Sequence, residues 1–250
     1  MSEKIPWHEQ DSFWKETLPV LFPESRVQAA ALEVEQILAL TGLSPGGAGL
    51  DLCCGIGRHS LQLAQKGFQV TGVDRTQAYL DRAAGAARRE KVSIELVRDD
   101  MRKFRRPESF NGVINLFTSF GYFEDQKDDR TVVSNIYASL RSGGVLVIQL
   151  MGKEVLARIF RPRDWYEQDG MLVLEERKIT QHWSWVESRW ILISGQSRIV
   201  LDLSHRLYSA AELSWLLRDC GFERVAAFGD LGGAPYDEQA NRLVLVARKT

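Results

Sequence analysis

The chain has 250 residues, of which 44% are apolar and 26% charged, the balance of a soluble globular protein with one large core and room for an embellishment. A formal net charge of -1 gives no overall electrostatic footprint for nucleic acid or for an anionic membrane. No stretch is apolar enough to span a bilayer, and the start MSEKIPWHEQ lacks the apolar core of a signal peptide. Three cysteines, two of them adjacent, fit a reduced protein better than a disulfide framework, so the expected compartment is the cytoplasm.

Residues 1–45 precede the main pattern. Phe13, Trp14, Leu18 and Leu21 mark one helix, Val27 to Leu40 a second, with Pro23 and Gly46-Gly47 as punctuation. The stretch from Gly49 to Asp74, GLDLCCGIGRHSLQLAQKGFQVTGVD, then reads as strand, glycine loop, helix, strand. Leu50, Leu52 and the two cysteines form the apolar run of a strand buried on both faces. Gly55-Ile56-Gly57 is the loop, where glycine permits a tight turn and close approach to a ligand. Gly67 stops the helix, and Phe68 to Val73 leads to an acid, Asp74, at the second strand tip.

This βαβ unit serves two ligand classes. A dinucleotide fold uses G-x-G-x-x-G, with pyrophosphate at the helix N-terminus; here Ser60 stands at the third glycine position. Asp51 lies just before the loop, awkward beside a pyrophosphate but favourable beside an ammonium or sulfonium. Asp74 can accept from both hydroxyls of a ribose. The two carboxylates favour a cationic, phosphate-free nucleoside, S-adenosylmethionine.

At Leu50–Gly57, Val70–Asp74, Asp99-Asp100-Met101, Asn115–Tyr122 and the Leu140–Gly144 turn, the chain resembles the class I S-adenosylmethionine-dependent methyltransferases. The segment FWKETLPVLFPESR and the tail resemble a bacterial small-molecule-type subgroup of mostly unassigned substrate. The resemblance implies cofactor contacts from Asp51, Gly55, Gly57, Asp74, Asp100, Met101, Leu116 and Trp14, with Asp99 as the alternative to Asp100 at the adenine. It also implies a lid in which Trp7, Phe13 or Trp14 covers the cofactor; a packing helix is the other reading of that segment.

Beyond Asp74, Gln77 to Arg89 is an Ala-rich helix and Ser93 to Arg98 a third strand. Arg98, Arg102, Lys103, Arg105 and Arg106 form a basic cluster that reads as a solvated loop. Phe110 to Phe117 is a fourth strand. After it, Thr118 to Phe123 falls at the carboxyl ends of the strands, where open α/β sheets bind ligands. Thr131 to Leu140 reads as a helix, Ser142-Gly143-Gly144 as a turn, and Val145 to Leu150 as a fifth strand. Gly152 to Phe160 is a helix that Arg161-Pro162-Arg163 breaks. Met171 to Lys178, Trp183 to Ile193 and Arg198 to His205 alternate with the period of strands. They form an antiparallel insertion that covers the substrate, makes a homodimer contact or packs on itself. Ser209 and Glu212 make a capping box, and Val225–Gly229 with Leu243–Ala247 supplies a final antiparallel hairpin.

The expected fold is α/β, a doubly wound Rossmann-like seven-stranded sheet with that C-terminal hairpin and the β insertion. Its parts are a 1–45 helical lid, a 46–150 core, a 151–207 insertion and a 208–250 completion of the sheet. The expected reaction is transfer of a methyl group to an O, N or C atom of a small molecule, without a metal. The alternatives are an NAD(P)-linked oxidoreductase and a non-catalytic S-adenosylmethionine-binding module. Phe117, Phe120, Tyr122 and Tyr236 are the substrate-side candidates. For a general base the candidates are Tyr122 and His59, ahead of His182, His205 and Glu176.

Overall fold

The computed structural model describes residues 5–250, so the first four residues of the predicted 1–45 segment lie outside the described residues. The centre is a seven-stranded sheet of β1 Ala48–Leu52, β2 Gln69–Asp74, β3 Ile94–Arg98, β4 Phe110–Asn115, β5 Leu140–Leu150, β10 Arg224–Phe228 and β11 Leu243–Arg248. Across the sheet these strands stand in the order β10-β11-β5-β4-β1-β2-β3. Only β11 pairs antiparallel to both neighbours; the remaining pairings are parallel. The strand order reverses where β1 lies between β2 and β4, and ligands of open α/β sheets bind beyond the strand ends at that point.

The sequence builds two cores by alternation. Leu146, Ile148, Leu243, Leu245 and Ala247 join one buried cluster with Leu50, Leu52 and Val113. Their strand neighbours Val145, Val147, Val244 and Val246 join the other with Val34, Ile37 and Val70. Successive side chains of a strand point to opposite faces, so each central strand feeds both layers. Helices α2 Glu24–Thr41 and α3 Arg58–Gln65 lie on the second face; α5 Gln126–Ser139 and α7 Ala210–Asp219 lie on the first.

Residues 163–206 form a separate four-stranded antiparallel sheet of β6 Arg163–Gln168, β7 Met171–Thr180, β8 Trp185–Ser194 and β9 Ser197–Arg206. It is not self-packed alone. Val173 and Leu192 close on Val20 of α1 Asp11–Leu21, and Gln168 Nε2 donates to the Pro19 carbonyl at 2.8 Å. The Trp7 indole N–H also reaches the Ser204 carbonyl at 2.8 Å. The N-terminal segment is thus clamped between the core and the insertion.

Several boundaries differ from the sequence reading. Cys53 and Cys54 lie in the turn after β1, with Cys53 at φ 64°, because the chain leaves the sheet directly after Asp51-Leu52 to form the loop. Helix α5 begins at Gln126 rather than Thr131, since the Asp125 carboxylate caps it by accepting from Lys127 N–H at 2.9 Å. Ser142-Gly143-Gly144 falls within the bounds of β5 but is skipped in its pairing with β4, which passes from Phe110–Leu140 to Gly112–Val145, so the predicted turn is there as a bulge whose Gly143 N–H donates to the Lys249 carbonyl. Strand β6 begins at Arg163, the last residue of the helix break, and runs through a stretch given no element in the sequence reading, while Trp183 sits in a tight left-handed turn rather than in β8. The capping box of Ser209 and Glu212 is present in full.

Candidate active site

A cleft opens beyond the ends of β1, β2 and β4, roofed by the N-terminal helices, and Asp51 and Asp74 both lie on its wall. Asp51 is buried and accepts from the Ser60 hydroxyl at 2.6 Å. Burial raises its carboxyl above the ordinary range, against the pull of His59, Ser60 and Arg58. Asp74 accepts from the Gly55 N–H at 2.9 Å and the Thr76 N–H at 2.8 Å. Burial raises it too, opposed by those two N–H groups. The strand that carries Asp74 therefore ties the glycine loop directly to its tip.

Gly55 has φ +56°, and a Cβ there would stand 2.7 Å from the Phe22 ring, which lines the same cleft. Next along the wall come Asp99, Asp100 and Met101. The Asp100 carboxylate is gripped by Arg102 at 2.5 Å, and the same guanidinium reaches Glu9 at 2.7 Å. Burial pushes the Asp100 carboxyl up, but Arg102 outweighs it and holds the group below the usual carboxylate range. The residues after β3 are thereby joined to the N-terminal turn Trp7–Glu9.

At the other end, buried Arg58 and His59 share one carboxylate oxygen of Glu33, at 2.5 and 2.8 Å. Arg58 lies over the Phe117 ring, 4.1 Å from its centroid. Trp14 and Tyr122 complete the roof, and the Tyr79 hydroxyl donates to the Trp14 carbonyl at 2.5 Å.

Of the sequence-predicted residues, Trp14, Asp51, Gly55, Asp74, Asp100, Met101, Leu116, Phe117, Tyr122 and His59 come together on this one wall. Three do not. Gly57 packs helices: with φ +75°, its absent Cβ would stand 2.8 Å from Ala83 of α4 Gln77–Glu90. Phe120 is fully buried against Tyr208, so it belongs to the core. Tyr236 donates to Glu154 at 2.9 Å, beside Gly152 and outside the cleft. As for bases, burial raises the Tyr122 hydroxyl far above its ordinary value, so it stays protonated. His59 is committed to Glu33. His182 and His205 lie off the cleft, and Glu176 pairs with Arg163 at 3.3 Å.

Sequence reasoning passed over Phe22, Arg26, Arg58 and His8, all on the cleft wall. Adjacency to Trp7 marks His8, adjacency to the glycine loop marks Arg58, and Phe22 and Arg26 fall within the segment FWKETLPVLFPESR. Among the described residues no group of His, Cys, Asp and Glu can hold a metal ion, and no helix is long and apolar enough to cross a membrane.

The donor set fits a cationic nucleoside. Asp51, Asp74, Asp99 and Asp100 line the cleft, and the glycine loop is held by Asp74 instead of opening its N–H groups to a phosphate. The family model described as a methyltransferase domain matches residues 50–144, the stretch from β1 to β5 that builds this wall. The chain carries a methyltransferase domain of the S-adenosylmethionine-dependent kind. The methyltransferase is 25% identical over 211 residues to the YqeM methyltransferase candidate of Bacillus subtilis (strain 168), covering 80% of this chain and 83% of that protein. It is 25% identical over 203 residues to a glycine/sarcosine N-methyltransferase of Aphanothece halophytica, covering 80% of this chain and 75% of the relative. Its fold matches the crystal structure of an S-adenosylmethionine-dependent methyltransferase from Clostridium acetobutylicum ATCC 824 with a TM-score of 0.78 at 16% identity, over 96% of this chain and 98% of that one. The dinucleotide alternative loses its ground, because Ser60 fills the third glycine position and its hydroxyl is bonded to Asp51.

Proposed function

We propose that the acceptor is a small polar molecule that enters through a second cavity, between the N-terminal turn and the insertion sheet, and meets the cofactor cleft at a shared window. The observation that carries this reading is that His8, Tyr122 and Phe123 line both spaces. Bound S-adenosylmethionine supplies an activated methyl group, so the protein mainly has to align the acceptor and exclude water. Alignment alone is worth roughly 7–11 kcal/mol in well-oriented reactions.

Asp74 is the ribose acceptor in this reading, and Asp100 with Met101 faces the adenine. Asp51, with Glu33, Arg58 and His59 nearby, holds the amino-acid end. The 1–45 segment and the 151–207 insertion act together as the cover, for which the Trp7–Ser204 and Gln168–Pro19 hydrogen bonds give support. An amine acceptor is favoured by the glycine/sarcosine relative and by Glu124 and Asp125 on the wall of the second cavity. That wall also carries Arg163, Lys178 and Arg189 among its acids, a mixture unsuited to a nucleic-acid backbone. Cytoplasmic residence belongs to the same reading, supported by three free cysteines. A homodimer through the insertion is supported by Trp165, 65% exposed on β6.

The test is a transfer assay with methyl-labelled S-adenosylmethionine against glycine, sarcosine, amino sugars, simple phenols and RNA. Label moving to an amine supports the proposal. Label moving only to RNA overturns it.

A further inference from the structure

His8 is the one histidine that lines both the cofactor cleft and the second cavity. Its main chain is fixed: the carbonyl accepts from the Trp14 indole N–H at 3.0 Å and from Arg75 at 2.9 Å. Its ring is differently placed. It stacks at 23° on Tyr122, 6.2 Å between centroids, and meets Phe123 edge-on at 5.3 Å. Among the described residues neither ring nitrogen has a hydrogen-bond partner, although the residue is only 8% exposed. Neither nitrogen is fully enclosed by protein, so the ring presents a free nitrogen to the space of the window.

Resting on the small-molecule reading above, we propose that His8 is the general base of the methyl transfer, taking the proton from an amine acceptor held in the second cavity. Burial lowers the His8 pKa below the ordinary 6.5, so the ring is neutral at pH 7 and ready to accept. The charged groups facing it come from three elements. Glu9 on its own turn and Asp100 after β3 raise its basicity, while Arg102, and Arg75 after β2, lower it. Tyr122, after β4, stays protonated and contributes a hydroxyl.

The step balances without any further reagent. An ammonium acceptor gives one proton to an imidazole nitrogen of His8. The freed nitrogen lone pair forms the new N–C bond to the methyl carbon as the C–S bond breaks, and sulfur keeps that electron pair. The imidazolium then passes its proton to water in the second cavity, which opens to solvent. Glu124 and Asp125 on that cavity's wall draw a cationic amine inward.

The experiment is proton-linked calorimetry on the full chain. Binding of S-adenosylmethionine and of S-adenosylhomocysteine is measured at pH 6 in two buffers of different ionisation enthalpy. The two ligands share ribose, adenine and amino-acid groups, so the difference in released protons reports only the sulfonium charge. The fraction of His8 that is still imidazolium at pH 6 loses its proton when the sulfonium charge binds beside it, which predicts more protons released with S-adenosylmethionine. The difference should vanish in His8→Asn, with affinity for S-adenosylhomocysteine kept within about threefold. A difference that persists in His8→Asn, or none in the unaltered protein, overturns the assignment. No binding of either ligand would instead sink the cofactor reading itself. With an amine found by the transfer assay, His8→Asn should turn over about 10²–10⁴-fold more slowly and lose the acidic limb of the pH profile. A loss under about fivefold would contradict the role.

Discussion

The Ser60 hydroxyl donates to the Asp51 carboxylate at 2.6 Å, and both side chains are buried. A dinucleotide-binding loop has glycine at this position so that helix and strand can close. Here the side chain itself is a support for the acid that faces the cleft. Hydrogen bonds to charged groups are worth roughly 1.5–3 kcal/mol. Ser60→Ala should therefore lower unfolding stability by about that amount in urea titration. An unchanged midpoint would show that Asp51 is held by other groups.

Gly55→Ala tests the loop. The added methyl meets the Phe22 ring at 2.7 Å and must also tolerate φ +56°, a left-handed conformation costing roughly 1–2 kcal/mol for residues with a Cβ. The ring is displaced into the cleft it lines. Calorimetry should show S-adenosylmethionine affinity falling at least about tenfold, while circular dichroism at 25 °C stays that of the unaltered protein.

Glu33 serves buried Arg58 and His59 at once, and Glu33→Gln leaves Arg58, only 4% exposed, without its paired carboxylate. Removing one partner of a buried pair costs roughly 3–5 kcal/mol, and the partial exposure of Glu33 puts the expected loss at about 3 kcal/mol. Adding Arg58→Met should recover much of it. Burial pushes the Glu33 carboxyl up, but His59 and Arg58 prevail and hold it below the ordinary value. Its stabilising contribution is therefore full above the unfolded-state pKa and disappears as pH falls through the lowered folded one. Urea midpoints of the unaltered chain, of Glu33→Gln and of the double variant, taken at pH 7 and at pH 3, check both statements. The gap between the unaltered chain and Glu33→Gln should narrow at the lower pH.

Asp129 shows the opposite sign. It is fully buried, accepts from the Tyr208 hydroxyl at 2.7 Å, and has Arg206 Nε at 3.4 Å. Burial raises its pKa from 3.8 to about 6. Between those values the folded state holds a proton that the unfolded state has released, so stability from this group falls as pH rises from about 4 to about 6. The shift corresponds to roughly 2–3 kcal/mol. The stability of the unaltered protein relative to Asp129→Asn should decline by that amount over the window; a flat difference would refute the burial argument.

The core was legible because its signals are local. Alternating Val and Leu in β5 and β11 feed two buried layers, and the Gly55 loop with its two acids lies between Asp51 and Asp74, a short run that folds as one unit. Strand β6 was hidden because Arg163, Trp165 and Glu167 alternate with Asp164, Tyr166 and Gln168, so no apolar face appears. Its order comes from pairing with β7. Tyr236 and Phe120 were misplaced for a related reason: an aromatic near a strand end fits a pocket or a core equally well until neighbours choose. His8 lies far along the chain from Ser204, whose carbonyl anchors the adjoining Trp7, and no local pattern encodes that meeting.

The most direct test of the account is a calorimetric comparison of S-adenosylmethionine, S-adenosylhomocysteine and NAD⁺ on the unaltered chain, repeated with Asp74→Ala. The account predicts that both sulfur nucleosides bind, that NAD⁺ does not, and that Asp74→Ala weakens binding by roughly 1.5–3 kcal/mol for each ribose hydrogen bond lost. Binding of NAD⁺ in place of the sulfur nucleosides, or full affinity without the Asp74 carboxylate, would contradict it.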